Sequence, residues 1–243
     1  DGIRDCLLSR GLGDVYKRQH FLLTLTSLFW AFNTIAGRAA VDEVSPLLVV
    51  SVRWFFVSIL LTFLCRKELF ETWKVLKYRL KWLVIMGLFG FTSFNSFYYI
   101  AAHDTIAINL GLVQGTMPAF IIIISRIWLK EKINIPQLIG VIITFVAVLL
   151  VVSSGNLYAL MKLQLNKGDI VMIFACTLYA VYAVGLRKKP KIGALVLLTF
   201  FSYVAFIGSL PGLFYETFTR NLVLPGIKAV SYTHLTLPTK RIV

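Results

Sequence analysis

The stretch TIAINLGLVQGTMPAFIIIISRIWLKEKINIPQLIGVIITFVAVLLVVS, residues 105–153, decides the fold class. It holds two apolar runs, 105–126 and 135–153, on either side of a short gap carrying Lys130, Glu131 and Lys132. Each run has the roughly 20 residues that a helix needs to cross the hydrocarbon core. A helix satisfies its own backbone hydrogen bonds in lipid. A barrel strand would alternate in polarity over about ten residues, and these runs are continuously apolar.

Working outward, five more such runs appear, at 20–38, 46–65, 81–101, 169–186 and 193–215. The composition agrees. Of 243 residues, 58% are hydrophobic and 15% charged, with a mean hydropathy of +0.80. A soluble domain is roughly 45–50% apolar and about 25% charged. These values exclude a soluble enzyme, a secreted disulfide module and a disordered chain. They predict an all-α polytopic membrane protein with seven transmembrane helices.

The net charge of +14 does not mark a nucleic-acid binder, because the basic residues lie in short gaps between apolar runs. Thirteen Lys and Arg fall in the gaps after runs 2, 4 and 6, from Arg66 to Lys81, Arg126 to Lys132 and Arg187 to Lys191. The opposite gaps hold four, Arg38, Lys162, Lys167 and Arg220. Positive charge stays inside, so the native amino terminus is expected in the cytoplasm, which opposes a seven-helix receptor. Within 66–81, Leu69, Trp73, Leu76 and Leu80 recur at helical spacing and predict a short helix on the cytoplasmic membrane surface. Cys6, Cys65 and Cys176 form no disulfide framework, zinc spacing or redox pair.

The two ends differ from the rest. Residues 1–19 and 230–243 change composition abruptly, and GLGDVYKRQ and VSYTHLTLPTKRIV resemble translated sequencing-adaptor read-through. Both are read as non-native or disordered tails. A loose internal repeat at an offset of 150 relates Leu28-Phe29-Trp30-Ala31-Phe32 to Leu178-Tyr179-Ala180-Val181-Tyr182. A five-span unit would make the second copy enter the membrane inverted, as in many secondary transporters. The expected organisation is a first repeat at 20–153, an extracytoplasmic linker at 154–168 and the start of a second repeat at 169–229. Seven spans of ten would then be present, three short of two complete repeats.

Polar residues inside such spans carry the functional signal, because they are costly there. Arg53 lies eight residues into span 2. It either holds a substrate carboxylate or pins a neighbouring helix, through backbone carbonyls or an ion pair with Asp42 or Glu43. Trp30, Asn33, Thr34 and Gly37 share one face of span 1, either facing a pore or packing on a helix. Tyr179 and Tyr182 are expected to face it from span 6, or to form an aromatic packing pair. Span 3 carries Thr92, Ser93, Asn95, Ser96, Tyr98 and Tyr99, too polar a set for a lipid-facing surface. In span 4, Pro118 leaves the Gln114 carbonyl without its helical donor, and Gly111 and Gly115 form a G-x-x-x-G that permits close helix approach. A kinked, polar helix suits a gate; a static kink with a packing face is the plainer reading.

Absences narrow the choice. The chain has no phosphate-loop motif, no H-E-x-x-H, no Cys/His cluster and no acidic residue in mid-span. No catalytic residue, metal site or cofactor is expected. His103 and Asp104 in the turn after span 3 are read as solvated.

Taken together, LFWAFNTIAGRAA (28–40), SPLLVVSVRWFFVSILL (45–61), residues 97–152 and GDIVMIFACTLYAVYAVGLRK (168–188) resemble the EamA-like domain of the drug/metabolite transporter superfamily. Ser45, Pro46, Arg53, Pro118, Glu131, Gln137 and Gly140 fall on recurrent positions of that pattern. The resemblance implies a ten-helix transporter of two inverted five-helix repeats in a prokaryotic inner membrane. Such a transporter exports an amino acid, metabolite or drug by alternating access. By position Glu131 resembles the family's acidic residue at the cytoplasmic end of helix 4; its Lys130 and Lys132 neighbours favour a loop-anchoring ion pair over a proton carrier. Expected lining residues are Trp30, Asn33, Arg53, Asn95, Tyr99, Gln114, Tyr179 and Tyr182. Expected partners are the lipid bilayer and a small solute, with homodimerisation open and no nucleic acid. The alternatives are an integral-membrane enzyme and a non-transporting receptor or subunit.

Overall fold

The computed structural model describes residues 2–41, 43–152 and 167–219, with side chains over 19–41, 43–147 and 167–219. Among them there is no strand. The helices are α1 (Gly2–Ala39), α2 (Pro46–Glu71), α3 (Trp73–Tyr78), α4 (Leu80–Gly87), α5 (Phe94–Asp104), α6 (Ala107–Gly115), α7 (Met117–Trp128), α8 (Ile135–Val152), α9 (Lys167–Gly185) and α10 (Ala194–Thr219). A π-helical segment, Leu88–Ser93, joins α4 to α5. The fold is an all-α polytopic membrane protein. Five continuous helical segments are long and apolar enough to cross a bilayer: Pro46–Glu71, Leu80–Asp104, Ala107–Trp128, Lys167–Lys188 and Ala194–Thr219. Expected span 1 lies inside α1, which also runs through residues 2–19. Span 5 lies inside α8, whose described apolar stretch, Ile135–Ala147, is shorter. The linker at 154–166 and everything after Thr219 lie outside the described residues.

Local chemistry sets the helix boundaries. Pro46 opens α2 at a position where a missing N–H costs nothing. Asn134 and Gln137 cap α8 reciprocally: Asn134 N donates to Gln137 Oε1 at 3.1 Å and Gln137 N to Asn134 Oδ1 at 2.9 Å. The break in span 4 falls at Thr116, between α6 and α7, with Pro118 in the first turn of α7. Thr116 donates through both N (3.0 Å) and Oγ1 (2.6 Å) to the Val113 carbonyl. The gap 66–81 is helical but interrupted: α2 continues to Glu71, and the six-residue α3 buries Leu76 while Trp73 stays exposed.

The helices pack through small residues and polar rungs. Spans 2 and 7 form the most extensive pair and run antiparallel. Reading along α2, Leu47 N donates to Glu216 Oε2 (3.1 Å), Ser51 meets Ser209 (2.8 Å), Thr62 meets Tyr203 (2.8 Å) and Cys65 Sγ meets Thr199 (3.1 Å). Helix α9 packs along α5, the π segment and the α6–α7 helix, and its buried Gly168 lies against the α5–α6 turn. Outward-facing Phe56, Ile59, Phe63 and Ile207 are exposed, as side chains solvated by lipid would be.

The three basic gaps meet at one end of this bundle. Arg187 pairs with Glu131, Lys188 Nζ lies 5.7 Å from the Trp128 ring, and a Cβ placed on Gly193 would sit 3.5 Å from Glu68 Oε2. At the other end, Arg38 donates to the Ala102 carbonyl (2.7 Å), and buried Asp169 accepts from Thr105 (2.6 Å).

Candidate functional site

The π segment is where the site is built. An extra residue in the turn widens the helix and frees backbone groups, and such segments recur at functional sites. Gly90 sits in this segment with the Tyr182 ring over it, so close that a Cβ there would fall 2.2 Å from the ring. Just beyond, Asn95 Nδ2 donates to the Phe91 carbonyl at 2.6 Å. That bond fixes the amide so that Oδ1 faces α2.

Arg53 receives it there. Its Nη2 donates to Asn95 Oδ1. Its Nη1 donates to Asn33 Oδ1 (3.1 Å) and to Tyr99 Oη (3.0 Å). Tyr99 in turn donates to Asn33 Oδ1 at 3.1 Å, which closes a triangle. The guanidinium carbon lies 5.3 Å from the Trp54 ring centroid and 5.4 Å from that of Tyr99. Gly37 on α1 permits the approach, since a Cβ there would meet the Tyr99 ring at 3.1 Å. Spans 1, 2 and 3 thus meet on one positive charge held by three neutral oxygens. No described carboxylate pairs with Arg53.

This differs from the backbone-carbonyl and Glu43 arrangements expected for Arg53. Its partners are side-chain oxygens rather than backbone carbonyls, and Glu43 is exposed; Asp42 lies outside the described residues. Of the expected lining set, the structure brings together Asn33, Arg53, Asn95 and Tyr99. Trp30 is 46% exposed, and Gln114 makes no side-chain hydrogen bond among the described residues. Tyr179 and Tyr182 form the aromatic packing pair given as the other reading, with ring centroids 5.5 Å apart, and face span 3 rather than span 1. Tyr179 packs on Phe94 at 5.1 Å and Tyr182 on Phe91 at 5.4 Å. The glycine gap at position 90 makes that seat available. The Gly111/Gly115 face is open: a Cβ on either would meet nothing within 4 Å, so the expected close helix approach is not made by described residues.

Glu131 has a different role in the geometry. Ser125 Oγ donates to its Oε2 and Arg187 Nη1 to its Oε1, so it ties the α7–α8 loop to the end of α9. Its partner comes from 56 residues away, not from Lys130 or Lys132. The Ser125 hydrogen bond, with the Arg187 charge, holds its carboxyl below the ordinary carboxylate range. Lys130, at φ 56°, turns the chain to present it, and Arg126 braces that turn through the Glu131 carbonyl at 3.3 Å. Asp169 and Glu216 are buried anchors at the other end that the sequence analysis did not single out. The clue to Glu216 lay in Pro46, because a helix opening in the bundle leaves N–H groups that need an acceptor.

A helical bundle with a braced cation inside a span defines a polytopic membrane protein with a polar intramembrane site. A model of the EamA-like transporter family matches residues 17–153. The chain belongs to that family. It is 27% identical over 140 residues, 58% of its length and 45% of the relative, to the "Uncharacterized transporter YyaM" of Bacillus subtilis. It is 29% identical over 176 residues, 69% of the chain and 57% of the relative, to an "Uncharacterized transporter" of Archaeoglobus fulgidus. An "Uncharacterized transporter" of Buchnera aphidicola is 25% identical over 177 residues, 69% of the chain and 55% of the relative. The chain spans about half the length of the curated relatives it matches. No solved structure matches it.

Proposed function

We propose that this chain belongs to a secondary transporter that exports a small organic solute by alternating access. The cluster of Asn33, Arg53, Asn95 and Tyr99 lies on the solute's path. One observation carries the reading. A family of membrane transporters contributes a chain whose intramembrane Arg53 is held by two neighbouring helices, through neutral groups alone among the described residues. A purely structural brace would be cheaper as an apolar contact, because an intramembrane cation is expensive.

The antiparallel pairing of spans 2 and 7 supports the inverted repeat. These spans hold corresponding positions in two five-span units, and their contacts run in opposite order, Ser51 to Ser209 and Cys65 to Thr199. An in-plane two-fold axis between two such units requires that order. The meeting of the basic gaps at one end supports a cytoplasmic amino terminus, and the family resemblance supports a prokaryotic inner membrane. The amphipathic pattern of 66–81 fits that same surface.

The test is untargeted mass spectrometry of culture medium from cells expressing the intact protein or its Asn33→Ala variant. At least one small solute is expected to accumulate outside with the wild type and to fall with Asn33→Ala at equal membrane abundance. Indistinguishable media would refute export.

A further inference from the structure

The guanidinium of Arg53 has five N–H donors and spends three bonds on Asn33, Tyr99 and Asn95. Its Nε is buried without a partner. Two other buried side-chain atoms among the described residues share that condition, Trp54 Nε1 and Tyr98 Oη. Trp54 stacks beneath the guanidinium. Tyr98 abuts Tyr99, with ring centroids 5.5 Å apart, and lies beside Thr34 outside hydrogen-bond geometry. The large majority of buried side-chain polar atoms in folded proteins are paired. Here three unpaired ones collect around one cation, and all three can donate. The neighbourhood is rich in donors, carries a positive charge and, among the described residues, lacks a carboxylate. Around it stand Phe91, Phe94 and Tyr179, an aromatic wall.

We propose that Arg53 is the solute's anion-binding residue, receiving a carboxylate on its Nε–Nη2 edge, and that the solute is a small monocarboxylate with an apolar or aromatic body. A guanidinium offers paired parallel N–H groups that match the two oxygens of a carboxylate. Nε–H and the second N–H of Nη2 are the donors that Asn33, Tyr99 and Asn95 leave unused. Asn33 and Tyr99 hold Nη1 and so orient that edge. Aromatic rings flanking the charge would take the apolar body. This inference rests on the transport reading for its biological meaning, but binding tests it independently of flux.

The intact protein, purified in detergent, is titrated with phenylacetate, phenylacetamide and phenethylamine, which share a body and differ in head group. Binding is read by tryptophan fluorescence. Phenylacetate is expected to bind on the order of 30-fold tighter than the amide, and the amine not to compete. Arg53→Gln should remove the preference, and Arg53→Lys should keep it in weakened form. Asn95→Asp guards against a folding defect. It gives up the Nδ2 bond to the Phe91 carbonyl but places a fixed carboxylate against Arg53, so a variant shown to be folded by its thermal unfolding should lose phenylacetate binding while keeping the Arg53 charge. Equal affinity for the three head groups, or a carboxylate preference that survives Arg53→Gln or Asn95→Asp, would overturn the proposal. Counterflow of the same probes in proteoliposomes separates the two readings. Carboxylate binding without flux retires transport and leaves the site; flux of the amine or amide without carboxylate preference retires the site and leaves transport.

Discussion

Asn95 is anchored to the Phe91 carbonyl through Nδ2 at 2.6 Å and presents its Oδ1 to Arg53. One amide therefore couples the π segment of span 3 to the charge on span 2. Asn95→Leu removes both bonds and leaves a buried carbonyl and a guanidinium N–H short of a partner. It is expected to destabilise the protein by about 1–3 kcal/mol. Thermal unfolding in detergent measures this, and an unchanged midpoint would show that the coupling is energetically idle.

Two glycines give opposite expectations. A Cβ at Gly90 would lie 2.2 Å from the Tyr182 ring, whereas one at Gly111 meets nothing within 4 Å. Gly90→Ala should displace Tyr182 and cost about 1–3 kcal/mol, the range for overpacking a filled site. Gly111→Ala should lie within about 1 kcal/mol of neutral, with any gain coming from helix propensity. A ranking in the reverse order would contradict the packing of α9 on the π segment.

How much of this was legible in the sequence depends on which interactions are local. The helices followed from continuous apolar runs, and Asn33, Arg53, Asn95 and Tyr99 stood out because polarity inside a span is conspicuous. Their union did not follow, since it joins residues up to 66 positions apart in the chain. The seat of Tyr182 needed a π segment, which has no sequence signature as plain as a proline. Gly111 and Gly115 matched a packing motif whose partner is absent from the described residues. Arg187 was one of four basic residues in its gap, and only the fold selects it for Glu131.

The Glu131 tether predicts a pH response. Its carboxyl is lowered by Ser125 and Arg187, so the pair favours the folded arrangement above the ordinary carboxylate range. That contribution should fade as pH falls through the lowered value. Between pH 7 and 5 the α7–α8 loop should stay docked to the end of α9, and it should loosen in more acidic buffer. Glu131→Gln should show the loosened state already at pH 7, read as faster hydrogen exchange over residues 129–134. A pH-independent exchange rate in the wild type would remove the tether from the account.

Spans 2 and 7 meet at Ser51 and Ser209, whose hydroxyls are 2.8 Å apart. In a background lacking Cys6, Cys65 and Cys176, Ser51→Cys with Ser209→Cys should oxidise to an intramolecular disulfide, because such close side chains fall within disulfide reach. Mobility on a non-reducing gel after cleavage between the two positions reports the link. Failure to cross-link under mild oxidant would argue against the antiparallel pairing that supports the inverted repeat.

Whether the Arg53 cluster lies on a solute path or is a closed brace is tested most directly by accessibility. In the cysteine-free intact protein, Asn33→Cys is challenged with a small membrane-impermeant thiol reagent from each face of sealed, oriented vesicles. Alternating access predicts labelling from both faces, slowed by phenylacetate. Labelling from neither face, with the protein folded and inserted, would contradict the account and make the cluster a structural knot among spans 1, 2 and 3.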